Sequence, residues 1–119
     1  MKAKDALGRR GEEIACAHLI DAGFHVEARN WRCPVGEIDI VAREGPELVI
    51  VEVKTRSTDA FGHPFEAITP AKLRRLHLLG AAWVAAHEGG RRRPFRVDVV
   101  GILCASSGEP TIEHLRAVV

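Results

Sequence analysis

The sequence predicts an α/β fold, a mixed central sheet flanked by helices, with elements in the order α-β-β-β-α-β and a short strand after them. Three observations carry this. Two segments place apolar residues at helical spacing between capping signals. Four others alternate apolar and polar residues or run as β-branched apolar stretches. Turn signals rich in glycine and proline fall between them, so one sheet with helices packed on it is the economical arrangement. At 119 residues the chain is long enough to bury a core without staples, and it reads as one domain over residues 1–119.

Each element has its own warrant. Asp5 is a helix N-cap, and DALGRRGEEIACAHLIDAG reads as a helix closed by Gly23. FHVEARNWR alternates Phe24, Val26 and Ala28 against polar neighbours, as a half-buried strand does. After the turn signal CPVG, EIDIVAR is a second strand. EGP then turns the chain into ELVIVEVKTR, Glu47 to Arg56, expected antiparallel to the second. STDAFGHPF reads as loop. Thr69 and Pro70 supply an N-cap and first helical position for PAKLRRLHLLGAAWVAAHE, which ends at Gly89–Gly90. FRVDVVGIL is a further strand and TIEHL a short last one.

Composition narrows the classes. With 46% hydrophobic residues the chain is no disordered tail, and its apolar runs are too short to cross a membrane. MKAKDALGRR is basic but leads into no apolar segment, so no signal peptide is expected. Cys16, Cys33 and Cys104 are odd in number and widely spaced, which suits a reducing cytoplasm and predicts neither disulfide framework nor zinc site. The six histidines are scattered, without metal-ligand spacing. Net charge is only +1, so the distribution of the 17 Lys and Arg matters more than their sum. Clusters at Arg9–Arg10, Arg74–Arg75 and Arg91–Arg93 are either solvated surface or a phosphate-facing patch.

The third strand carries the chemistry. Leu48, Ile50, Glu52, Lys54 and Arg56 share one face, which begins apolar and ends charged; Val49, Val51, Val53 and Thr55 share the other. In the second strand Glu37, Asp39 and Val41 are expected on one side, with Ile38, Ile40 and Ala42 on the other. A hairpin in register then brings Asp39 beside Glu52. Adjacent carboxylates repel, and an ionised one buried without a partner is expensive. A divalent cation resolves the conflict, since Mg²⁺ favours one or two carboxylates with waters and a phosphate oxygen. The competing reading is a rim salt bridge worth roughly 0–1 kcal/mol. On the first helix Glu12 heads an apolar stripe of Ala15, Cys16, Leu19 and Ile20, so a third acid is expected to point inward unless it snorkels out at the helix end.

With Glu12 on a helix, Asp39 in GEIDIVA and Glu52 and Lys54 in VEVK, the sequence resembles the PD-(D/E)xK nucleases. More closely it looks like the YraN-like family (uncharacterised protein family 0102) of small bacterial proteins, similar to archaeal Holliday-junction resolvases. The likeness covers GRRGEEIACAHLIDAGF, RNWRCPVGEIDIVA, LVIVEVKTR, FGHPFEAITPAKLRRL and RVDVVGI, nearly the whole chain. It departs in having Ile38 where the motif has proline. The resemblance implies a restriction-endonuclease-like αβββαβ core. It also implies a Mg²⁺- or Mn²⁺-dependent endonuclease acting on branched or structured DNA in repair or recombination. On that scheme Glu12, Asp39, Glu52 and Lys54 are catalytic, with Asp39, Glu52 and the Val53 carbonyl holding the metal. Arg32, Arg56 and Lys72 match family positions and would face phosphate.

Asp98 also matches a family position, but with Arg96 on its own strand face it reads as an ion pair rather than a metal ligand. There is no tyrosine, and Trp31 and Trp83 read as core or interface, so backbone or shape recognition fits better than base readout. A homodimer would suit a symmetric junction. Two other classes stay open: a nucleic-acid-binding protein that kept the fold without cleaving, and an interaction or metal-binding domain with no nucleic-acid affinity.

Overall fold

Helix α1 (Ala6–Asp21) starts where the Asp5 side chain accepts a hydrogen bond from the Gly8 amide at 2.7 Å. It ends where Gly23 takes φ +95°, which only glycine adopts without strain, and the Phe24 amide reaches back to the Leu19 carbonyl. Strands β1 (His25–Cys33), β2 (Gly36–Glu44) and β3 (Glu47–Arg56) follow as an antiparallel meander. Helix α2 (Pro70–His87) is capped by Thr69, whose hydroxyl accepts from the Lys72 amide at 3.1 Å. It carries the chain across the sheet, so β4 (Phe95–Leu103) lies parallel to β3. Strand β5 (Thr111–Leu115) pairs antiparallel with β4 at the edge. The computed structural model describes residues 5–58, 65, 68–89, 93–105 and 108–118. Most of the STDAFGHPF segment, Gly90 at the expected end of the second helix, and Arg91 and Arg92 of the basic cluster lie outside the described residues.

The described residues therefore form a mixed α/β fold, with two helices and a five-stranded mixed sheet in the order β1-β2-β3-β4-β5. Each sheet face has its own core. Ala15 and Leu19 of α1 pack with Ile40, Ala42, Val49, Val51, Val100 and Ile102. Leu76, Leu79, Trp83 and Val84 of α2 pack with Val41, Leu48, Ile50 and Val97. The split follows from strand alternation, because β3 sends odd-numbered residues to α1 and even-numbered ones to α2. Trp31 and Trp83 meet edge to face in the α2 core, as read from the sequence.

Two expectations need correction. Ile20 is 58% exposed and does not continue the inward stripe of α1, which runs through Gly11, Glu12, Ala15 and Leu19. Ile38 packs in the α2 core beside Trp31, rather than on the α1 side with Ile40 and Ala42. The cause is a local break at Asp39. Asn30, between the Arg29–Ile40 and Trp31–Ile38 pairs of the β1–β2 ladder, takes a left-handed φ of +55°, and alternation is lost there.

The same place sets the site. The β2–β3 ladder runs from Glu44–Glu47 to Ile40–Val51 and stops, while β1–β2 pairing continues to Cys33–Gly36 and β3–β4 pairing to Arg56–Leu103. The start of β2 and the end of β3 thus part company. The opening between them begins at Asp39 and Glu52.

Candidate functional site

Where the β2–β3 ladder ends, a side chain takes over from the backbone. The Val53 amide donates to Asp39 Oδ2 at 2.8 Å, so the carboxylate satisfies a strand N–H that has left the ladder. This holds Asp39 against β3 and beside Glu52. Asp39 is 8% and Glu52 5% exposed, so two acids are largely withdrawn from water at the mouth of the split.

The split opens into a cleft of about 1050 Å³. Asp39, Glu52, Val53 and Lys54 line it, with Arg32 and Arg56 on the strands and Lys72 and Arg75 on α2. Every residue assigned from sequence to the metal or to phosphate therefore faces one cavity. Lys72 has an additional partner: its Nζ lies 3.0 Å from Glu52 Oε2. Arg32 is paired with Glu37 at 2.7 Å. Arg75 joins the cleft although only its cluster with Arg74 was noted. Its signal is helical spacing, since residues 72, 75, 76 and 79 lie on one face of α2. Arg74 points elsewhere, into a groove with Leu73, His77 and Leu78.

The electrostatics follow from burial and crowding. Burial, reinforced by the Asp39 carboxylate, pushes the Glu52 carboxyl up to about 7 against the opposing pull of Lys72. Burial, with Lys72 nearby, lowers the Lys54 ammonium below its ordinary value, while Glu52 pulls the other way.

Glu12 is buried at 2% exposure, as the stripe argument requires, but it does not line the cleft. Its Oε1 accepts from Asn30 Nδ2 at 2.7 Å and from Arg29 at 3.2 and 3.3 Å. Among the described residues no three His, Cys, Asp or Glu side chains gather as a set able to hold a metal ion. The expected three-acid cluster is instead an Asp39–Glu52 pair, with Glu12 tied to β1 through Asn30 and Arg29. Arg29 and Asn30 were missed because their partner is distant in sequence. Gly11 was also missed: a Cβ there would sit 1.9 Å from Thr55 Oγ1, so glycine lets α1 seat directly on β3.

Asp98 lies away from this cleft, on β4, and is fully buried. It accepts from Arg96 Nε and Nη2 at 2.9 and 3.1 Å, from His114 Nε2 at 2.8 Å and from the Ala117 amide at 3.0 Å. Burial alone would raise its pKa, but these hydrogen bonds outweigh burial and bring it down to about 2. The ion pair with Arg96 is as expected; the histidine on β5 was not foreseen.

Residues 11–102 match the sequence model of uncharacterised protein family UPF0102. A UPF0102 protein of Arthrobacter sp. (strain FB24) is 57% identical over 119 residues, covering 99% of each chain. One from Beutenbergia cavernae is 53% identical over 118 residues, again covering 99% of each. One from Clavibacter michiganensis subsp. michiganensis is 50% identical over 117 residues, covering 98% of each.

Proposed function

This chain belongs to uncharacterised protein family UPF0102, and for it we propose a divalent-metal-dependent endonuclease of the PD-(D/E)xK type, built on a restriction-endonuclease-like core and acting on DNA. One observation carries the reading: Asp39 and Glu52 are held side by side, nearly buried, in a cleft whose other charged groups include Lys54, Arg32, Arg56, Lys72 and Arg75. Two hard oxygen donors that repel each other beside open volume fit Mg²⁺ or Mn²⁺, which keep several waters and need few protein ligands.

Asp39 and Glu52 would hold the ion, with the Val53 carbonyl as a further donor. When bound, the ion supplies Lewis acidity toward a phosphate oxygen and lowers the pKa of a coordinated water. Asp39 is aimed by the Val53 amide. Glu52 must be ionised to serve, so the site becomes competent as pH rises through about 7. Lys54, on the strand face of Glu52 and lowered by burial, would give or take a proton at the reacting phosphate or stabilise its charge. Arg32, Arg56 and Arg75 meet the DNA backbone. Glu12 acts at one remove, fixing Asn30 and Arg29 against α1.

The two tryptophans are committed to packing with each other and with His87, so recognition by backbone and shape is favoured over base stacking. Branched or structured DNA met in repair or recombination, in the cytoplasm, is the proposed substrate. Two matched cuts across a symmetric junction would require a homodimer. No described helix is long and apolar enough to cross a membrane.

A second reading, a nucleic-acid-binding protein that does not cleave, is favoured by one fact: Glu52 already has an ion-pair partner in Lys72. Branched, flapped, single-stranded and duplex DNA incubated with the protein in Mn²⁺ or EDTA separates the two. The nuclease reading expects product in Mn²⁺ only. No product on any substrate, with binding that ignores EDTA and weakens steeply with salt, would support the second reading.

A further inference from the structure

Glu52 does not take its ion-pair partner from its own strand. Lys54 is two residues along the same face of β3, yet the 3.0 Å contact is made by Lys72, from the first turn of α2. The two halves of Lys72 are held very differently. Its backbone is fixed, because its amide donates to the capping Thr69 hydroxyl. Its side chain is 32% exposed and ends a flexible four-carbon stem, while the carboxylate it touches is 7% exposed. A fixed root under a long, partly exposed stem suits a group that occupies more than one place.

Glu52 needs a counter-charge, since it is buried beside another acid. A divalent cation and an ammonium held on that carboxylate at contact distance repel each other, so each weakens the binding of the other. When Lys72 leaves Glu52 it stays in the cleft, beside Arg75 and at a helix N-terminus, where an anion is favoured.

We infer that the Lys72 ammonium and a divalent cation alternate as the counter-charge of Glu52, and that the displaced ammonium pairs with a backbone phosphate of DNA. The inference rests on the reading of Asp39 and Glu52 as the cation site. It makes metal binding and DNA binding mutually reinforcing, because each favours the same position of one side chain, and the coupling is reciprocal.

The test is Lys72→Met, which keeps most of the stem and removes the charge. Calorimetric titration of the protein with Mn²⁺, without DNA, should show binding roughly five- to tenfold tighter than in the wild type, since no ammonium has to be displaced. DNA affinity, measured on a four-way junction with Ca²⁺ as a hard oxygen-seeking cation, should be several-fold weaker in the variant. In EDTA, where Lys72 stays on Glu52, the two proteins should bind alike. Lys72→Arg, which keeps the charge, should restore the Ca²⁺-dependent gain in DNA affinity. A Lys72 that merely pins α2 to β3 would instead give a destabilised variant with unchanged or weaker Mn²⁺ binding. If wild type binds Mn²⁺ and Lys72→Met binds it no more tightly, this inference fails and the nuclease reading stands. If wild type binds no Mn²⁺, both fail.

Discussion

Two neighbouring strands of one sheet each bury a carboxylate, and their fates are opposite. Asp98 on β4 receives four hydrogen bonds, from Arg96, His114 and Ala117, and its pKa falls to about 2. Glu52 on β3 shares its place with Asp39, pairs with Lys72 from α2, and rises to about 7. The difference is one of completion. Asp98 is a finished electrostatic unit that locks β5 and the following turn to β4. Ionised Glu52 is held at a free-energy cost that a proton or a further positive charge relieves, and strain of this kind marks functional sites.

Asp39→Asn breaks the comparison most sharply. Asn Oδ1 still accepts from the Val53 amide, so the fold should survive, but one of the paired charges is gone. Metal-dependent DNA cleavage should fall on the order of 10³-fold or more in a gel assay, with an unchanged circular dichroism spectrum. Asp98→Asn should do the reverse. Removing one partner of a buried, hydrogen-bonded ion pair should destabilise the fold by about 3 kcal/mol in urea melts, leaving Mn²⁺ affinity of the folded protein unchanged. A loss below about 1 kcal/mol would mean Asp98 is not the finished unit described.

The pH dependence is next in size, and the signs differ. Glu52 has a folded value of about 7 against an ordinary 4.5. Below 4.5 it is protonated folded or unfolded and costs nothing; above 7 the folded state carries the full cost. Its share of stability therefore declines as pH rises from 4.5 to 7, by up to about 3 kcal/mol. Asp98, at about 2 against an ordinary 3.8, stabilises fully above 3.8 and loses up to about 2 kcal/mol as pH falls through the interval. Glu52→Gln should consequently be more stable than wild type at pH 8 and equal to it at pH 4. Urea melts at the two pH values check this, and a pH-independent difference would contradict it.

The smallest effect sharpens the frame around the site. Gly11→Ala places a methyl against Thr55 and should lift α1 from β3, costing about 1–2 kcal/mol despite alanine's better helix propensity. A stabilised variant in thermal melts would show that the close approach is not needed.

Much of this was legible in the sequence because it is local. Asp5, Gly23, Thr69 and Pro70 marked both helices through capping chemistry that acts within a few residues. The alternation of Glu52 and Lys54 against Val51 and Val53 put acid and lysine on one strand face whatever the fold around them. What escaped depends on tertiary contact. Ile38 changes face because Asn30 and the end of the β2–β3 ladder interrupt alternation, and no period-2 pattern announces that. Ile20 follows the spacing of a buried stripe yet lies beyond what the sheet covers. Glu12 was correctly placed inside, but its partners Arg29 and Asn30 come from another strand, as does His114 for Asp98.

The central claim is that Asp39 and Glu52 together hold a divalent cation, and titration with Mn²⁺ tests it without assuming any substrate. Wild type should bind at pH 8, bind more weakly at pH 6 where Glu52 is largely protonated, and lose binding in Asp39→Asn. Absence of binding at pH 8, or equal binding by Asp39→Asn, would contradict the account.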